Sequence, residues 1–107
     1  MFQYLSYVAL ASTLVVCSAN ALATEATLAL AQKSGCLNCH SVDKKILGPA
    51  YKEVAAKYKG DKTAEAKLIQ KVKVGGSGSW GNMPMPANSP QVKDEDIKTI
   101  VQWVLTL

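Results

Sequence analysis

From Thr24 onward the apolar residues recur at helical spacing, and no strand pair or strand-helix-strand pattern appears. The clearest stripe is Ile97, Ile100, Val101, Val104 and Leu105, at i, i+3, i+4, i+7 and i+8. It predicts a helix from Asp94 to Thr106, with Asp94, Glu95 and Asp96 loading the turn where the helix dipole is positive. Thr24 to Ser34 is rich in Ala and Leu and predicts a first helix, capped by Thr24 and ended by Gly35. Pro49 opens a short helix at its favoured first-turn position. Val54, Ala55 and Tyr58 continue it and Gly60 stops it. Asp61 to Lys73 predicts another, with Leu68, Ile69 and Val72 on one face. Between these lie a loop from Val42 to Gly48 and a glycine-rich loop from Gly75 to Ser79. Asn82 to Pro90 holds Pro84, Pro86 and Pro90, which exclude helix and central strand. The expected class is all-α.

Charge divides the chain. Residues 1–24 carry no charged side chain, whereas all 12 Lys and all 8 Asp and Glu come after them, so the net charge of +4 belongs to the second part. The first part reads as a secretory leader: an apolar run from Leu5 to Val16, then small residues with cleavage expected after Ala23. Such an uncharged stretch could instead remain as a membrane anchor. Cys17 within it reads as a small apolar residue, since Val16 stands where a lipidation signal needs a small one. Cleavage would leave residues 24–107 as one domain, near the lower limit for a self-sufficient apolar core. Its aromatic residues are only Tyr51, Tyr58, Trp80 and Trp103.

Cys36-Leu37-Asn38-Cys39-His40 is the C-x-x-C-H pattern of covalent c-type haem attachment. Two thiols at this spacing can add across the two vinyl groups of one haem, and the adjoining imidazole can bind the iron. His40 is the only histidine. A thioredoxin-like redox pair would need a βαβ setting, and structural zinc would need a fourth ligand that Cys17, in the leader, does not offer. The chain also holds two methionines besides the initiator, in Asn82-Met83-Pro84-Met85-Pro86. A thioether is a soft neutral ligand for the sixth position, and the prolines fixing the backbone around Met85 favour it over Met83. The alternative is that both fill gaps in the core. Gly75 to Ser79 is no phosphate cradle, because the Lys-Ser/Thr of that motif and its leading strand are missing. Its glycines instead suit positive φ or close backbone approach.

With these motifs the chain from Thr24 to Leu107 resembles the small bacterial class I cytochromes c of the c-551/c-552 group. The resemblance rests on the haem motif, Leu47-Gly48-Pro49-Ala50-Tyr51-Lys52, Val54-Ala55-Ala56-Lys57, Ser79-Trp80-Gly81, Pro84-Met85-Pro86 with Asn88 shortly after, and Trp103-Val104-Leu105. It implies four to five helices wrapped round one covalent haem c, with Cys36 and Cys39 attaching it and His40 and Met85 binding its iron. It further implies that the Pro49 carbonyl accepts a hydrogen bond from the His40 ring, that the Asn88 amide lies near the Met85 sulfur, and that Trp80 and Lys71 face a haem propionate. Three departures stand out: Ala87 where the family has proline, Lys93 where a serine usually caps the last helix, and a slightly long loop after Asn88.

The expected function is that of a periplasmic one-electron carrier, a monomer and not an enzyme, with no small-molecule substrate. The group implies redox partners such as nitrite reductase, terminal oxidase, cytochrome c peroxidase or a quinol-oxidising complex. Lysines 44, 45, 52, 57, 59, 71 and 73 fall near the expected haem surroundings and could steer docking on an acidic patch; the alternative is scattered solvated lysines. Nucleic acid is not expected, since the chain has no arginine. The alternative function is a haem enzyme or gas sensor with a labile sixth ligand, against which stands the absence of a distal His or Arg.

Overall fold

The computed structural model describes residues 11–14 and 19–107, and of residues 19 and 20 the backbone alone. The last helix, α4 (Asp94–Val104), organises the rest. Its stripe buries Ile97, Ile100, Val101 and Val104 as the spacing predicts, together with Trp103, and Ile97 is wholly enclosed. Helices α1 (Ala19–Lys33), α2 (Tyr51–Lys57) and α3 (Ala64–Val74) all pack against α4. Ala31, which is fully buried, lets α1 approach closely, and it joins Tyr51, Val54, Ile100, Trp103 and Val104 in the main core.

Three helix starts differ from the sequence reading. Helix α1 runs through Ala19–Ala23, so Thr24 lies inside it rather than at its cap; the preceding Ala-Asn-Ala-Leu-Ala has no breaker and continues the helix. The expected leader lies largely outside the described residues, and Cys17 with it. Helix α2 starts at Tyr51 with Ala50 as its cap, in extended conformation, so Pro49 precedes the helix instead of opening it. The amides of Tyr51 and Lys52 donate to the carbonyls of Ser41 (2.9 Å) and Val42 (3.1 Å), which satisfies a helix end that has no capping side chain. The helix ends at Lys57, three residues before Gly60.

Helix α3 starts at Ala64 because Asp61 is used for a turn. Its carboxylate accepts from the Thr63 amide (2.8 Å) and hydroxyl (2.6 Å), and Lys67 lies 3.3 Å away. The α4 cap is Lys93, which makes no side-chain capping bond, as its identity suggested.

The all-α expectation also needs an addition. Strands β1 (Gly76–Gly78) and β2 (Gly81–Met85) pair antiparallel, Gly76 opposite Met85 and Gly78 opposite Gly81, with an irregular register between. Proline excludes a central strand, but both strands of a two-stranded ribbon have an outer edge, and Pro84 is tolerated there. Gly75 carries φ +73° at the ribbon base, and a Cβ on it would collide with the Met85 carbonyl oxygen. The glycine therefore permits the segment 85–87 to lie against the end of α3.

Two outcomes test this packing. Ile97→Ala should destabilise the haem-loaded protein by about 2–5 kcal/mol, and Ile97→Val by about 0.5–1.5 kcal/mol, read from denaturant midpoints. The Thr63 hydrogen bonds hold the Asp61 carboxyl below its ordinary 3.8. The turn is therefore fully favoured above that value and weakens as pH falls through the lowered one, and an NMR titration should place the Asp61 midpoint below 3.8.

Candidate haem site

Gly35, at φ 82°, ends α1 and turns the chain into a short 3₁₀ helix over Cys36–Asn38. The Cys39 and His40 amides both donate to the Cys36 carbonyl, at 3.2 and 3.0 Å, so the motif folds into one tight turn with both thiols free. Burial pushes the Cys36 thiol up, and burial with the neighbouring Cys36 does the same for the Tyr51 phenol, so both are uncharged at neutral pH.

The His40 ring is held on three sides. Its Nδ1 lies 2.8 Å from the Pro49 carbonyl oxygen. A carbonyl only accepts, so Nδ1 carries the proton and Nε2 is left with its lone pair, the form in which imidazole binds a metal. Tyr51 stacks on the ring with centroids 5.1 Å apart and planes 22° apart. Gly48 lies so close that a Cβ on it would fall 2.5 Å from His40 Cε1 and 2.9 Å from Nδ1. A hydrogen bond from the Gly48 amide to the Cys39 carbonyl, 2.8 Å, fixes that approach. Tyr51 in turn meets Trp103 edge to face, at 5.7 Å and 81°, which ties the histidine to the core around α4.

A cavity of about 840 Å³ opens beside this ring. Cys36, Cys39, His40 and Pro49 line it from one part of the chain. Leu68, Lys71 and Val72 line it from α3, Ile100, Val101 and Val104 from α4, and Trp80, Met83 and Met85 from the ribbon. Apolar walls around so large a space in a small domain call for an apolar occupant. Among the described residues no three His, Cys, Asp or Glu are grouped to hold a metal ion by themselves. Two thiols, an oriented imidazole and two thioethers around one apolar space fit a haem.

The other residues of interest are placed unequally. Met85 is half-buried, whereas Met83 is 62 % exposed. Trp80 lines the cavity mouth and remains partly exposed. Asn88 does not line the cavity. Its side-chain amide donates to the carbonyls of Val72 and Pro86, both at 3.2 Å, and its backbone amide to Val72 at 3.0 Å, which pins the segment after Met85 onto α3. Sequence reasoning missed Gly48 and Tyr51 as site residues, whereas Gly75 has the positive φ expected of the glycine-rich loop. A glycine directly before Pro49 was the one available signal for the first.

The family model of cytochrome c matches residues 26–107. The chain belongs to the cytochrome c family. This cytochrome c is 57 % identical to cytochrome c-551 of Allochromatium vinosum over 82 residues, 77 % of this chain and 86 % of that one. It is 47 % identical to cytochrome c-552 of Nitrosomonas europaea over 78 residues, 73 % of this chain and 75 % of that one. The crystal structure of wild-type Nitrosomonas europaea cytochrome c552 superposes with a TM-score of 0.71 at 46 % identity, covering 75 % of this chain and 98 % of the other. The class 1 cytochrome MtoD of Sideroxydans lithotrophicus does so with a TM-score of 0.67 at 38 % identity, covering 77 % and 92 %. The fold is thus the class I cytochrome c fold, with four α-helices and a small two-stranded sheet among the described residues. The cofactor is one covalently bound haem c with its iron, and the protein is a small electron carrier.

Gly48→Ala should drive a methyl group into the His40 ring without straining the backbone. We expect a loss of about 1–3 kcal/mol in a denaturant titration, together with an altered absorption spectrum of the haem-loaded protein.

Proposed function

We propose that this cytochrome c is a periplasmic one-electron carrier in which Cys36 and Cys39 hold the haem, and His40 and Met85 hold its iron. When bound, the haem iron supplies a one-electron couple between Fe(II) and Fe(III). The carrying observation is the His40 ring, fixed by Pro49, Tyr51 and Gly48 with Nε2 free, on the same cavity as the half-buried Met85. A ring held this way loses little freedom on ligation and moves little when charge changes, which favours fast transfer. Met85 is preferred over Met83 because Asn88 and Gly75 anchor the chain beside it, whereas Met83 stands out at the mouth. Lys71 and Trp80, on the cavity wall, are the candidates to face the propionates.

The mature protein is proposed to be residues 24–107. Residues 21–26 are exposed, and the packing of α1 begins beyond them, at Leu30 and Ala31. No described helix is long and apolar enough to cross a membrane.

The partners are proposed to be redox proteins such as a nitrite reductase, a terminal oxidase, a cytochrome c peroxidase or a quinol-oxidising complex, met through the cavity mouth. Ile46, Leu47, Trp80 and Met83 expose apolar surface there. The basic rim is thinner than the lysine count suggested. Lys52 pairs with Asp43 at 2.6 Å and Lys73 with Asp94 at 3.0 Å, which among the described residues leaves Lys44, Lys45, Lys57, Lys59 and Lys71 without an ion-pair partner, and Lys57 is turned onto the Ser79 carbonyl. A mouth with apolar centre and few free cations suits brief encounters.

Absorption spectra with and without carbon monoxide test the ligand set. Met85→Ala should lose the low-spin spectrum and the weak far-red Met-to-iron band and should bind carbon monoxide readily, while Met83→Ala keeps the wild-type spectrum. The opposite pattern would transfer the sixth position to Met83.

A further inference from the structure

We infer that Lys57 is a positioning residue that clasps the ribbon tip over the cavity mouth and holds Trp80 in place. The inference rests on the carrier reading, with the haem in this cavity. Lys57 is the last residue of α2, and its ammonium group donates to the Ser79 carbonyl at 2.8 Å. The same nitrogen lies 4.5 Å from the centroid of the Trp80 ring, within the range of a cation–π contact. One side chain thus makes two directional contacts with two consecutive residues at the turn between β1 and β2.

The tip has little else to hold it. A Cβ added at Gly78 or Gly81 would meet nothing within 4 Å, so the backbone there is open to solvent. Among the described residues, no other hydrogen bond reaches residues 78–82 from outside the ribbon. The base is different: Gly75 packs on segment 85–87, and Asn88 bonds to Val72. The ribbon is therefore hinged at an anchored base and latched at a free tip, and Lys57 is the latch. Trp80 lines the cavity, so the state of the latch sets how much water reaches the cavity mouth. Water there favours the more highly charged oxidised iron, and a closed mouth therefore keeps the potential higher.

This assigns Lys57 a task other than steering. Its charge is directed at an indole face and a carbonyl of its own chain. Lys59, two residues on, has no such partner among the described residues and serves as the control for loss of one positive charge.

The test compares the haem-loaded Lys57→Met, Lys57→Arg and Lys59→Met proteins by amide hydrogen exchange over residues 76–85 and by midpoint potential. Lys57→Met should speed exchange at the tip by about tenfold and lower the potential further than Lys59→Met does. Lys57→Arg, which keeps the charge, a donor and a flat face for the indole, should restore both. Unchanged exchange in Lys57→Met would overturn the clasp. Faster exchange with a potential no lower than that of Lys59→Met would overturn the positioning role. A wild-type protein without a reversible one-electron wave would instead overturn the carrier reading, and the exchange comparison would still decide the clasp.

Discussion

Everything at the site depends on the restraint of one imidazole. A histidine on a loop has two freely rotating side-chain bonds and two tautomers, and most of those states are useless for holding iron. The 2.8 Å bond to the Pro49 carbonyl selects the tautomer and the direction. The Tyr51 ring and the bare backbone of Gly48 then remove the remaining rotation. Each restraint is supplied by the same short stretch, residues 48–51, which the Cys39 and Ser41 carbonyls draw back against the haem motif. Only Gly48 of this stretch belonged to the expected loop; Pro49 to Tyr51 were expected to open a helix, and Gly48 and Pro49 instead hold the ring from before its start. The extended backbone at Ala50, which delays α2, is what leaves the Pro49 carbonyl facing the ring.

The second consequence is a division of labour along the chain. Residues before α3 supply the two thiols and the imidazole, residues after it supply the thioethers, and α4 underlies both through Ile100, Val101 and Val104 on the cavity wall. Neither half can enclose the apolar space alone. A domain with so few buried side chains has its centre where the cofactor goes, which agrees with the small number of aromatic residues available to fill it.

How much could be read in advance varied with how local the cause was. The α4 stripe was legible because five apolar residues at helical spacing admit one reading. The haem motif was legible because thiol spacing is a chemical requirement. The starts of α1, α2 and α3 were not, although that of α4 was. Ala19–Ala23 carries the same propensity as the rest of α1, and Asp61 can serve a turn as well as a helix end. The ribbon was hidden because Gly76–Gly78 and Gly81–Met85 show no alternation of apolar and polar residues and pair in an irregular register. The Pro49 bond to His40 was reached only through resemblance. For Gly75 the positive φ was expected, but the segment it packs on was not; the parts of Gly48 and Lys57 were not reached at all, because each depends on a contact that forms only in the folded chain. The partner of Lys57 is 22 positions away, and periodicity treats such a lysine as one more solvated charge.

The ribbon has a further implication for a protein that must collide with others and separate again. An exposed strand pair is normally an invitation to add a third strand, because its outer backbone groups are unpaired. Here Pro84 removes one donor from β2, and Gly76, Gly78 and Gly81 hold positive φ angles that bend the chain out of a regular ladder. Two copies meeting edge to edge would find no continuous row of donors and acceptors to zip together. The irregularity that concealed the ribbon in the sequence thus also leaves it a poor template for a third strand.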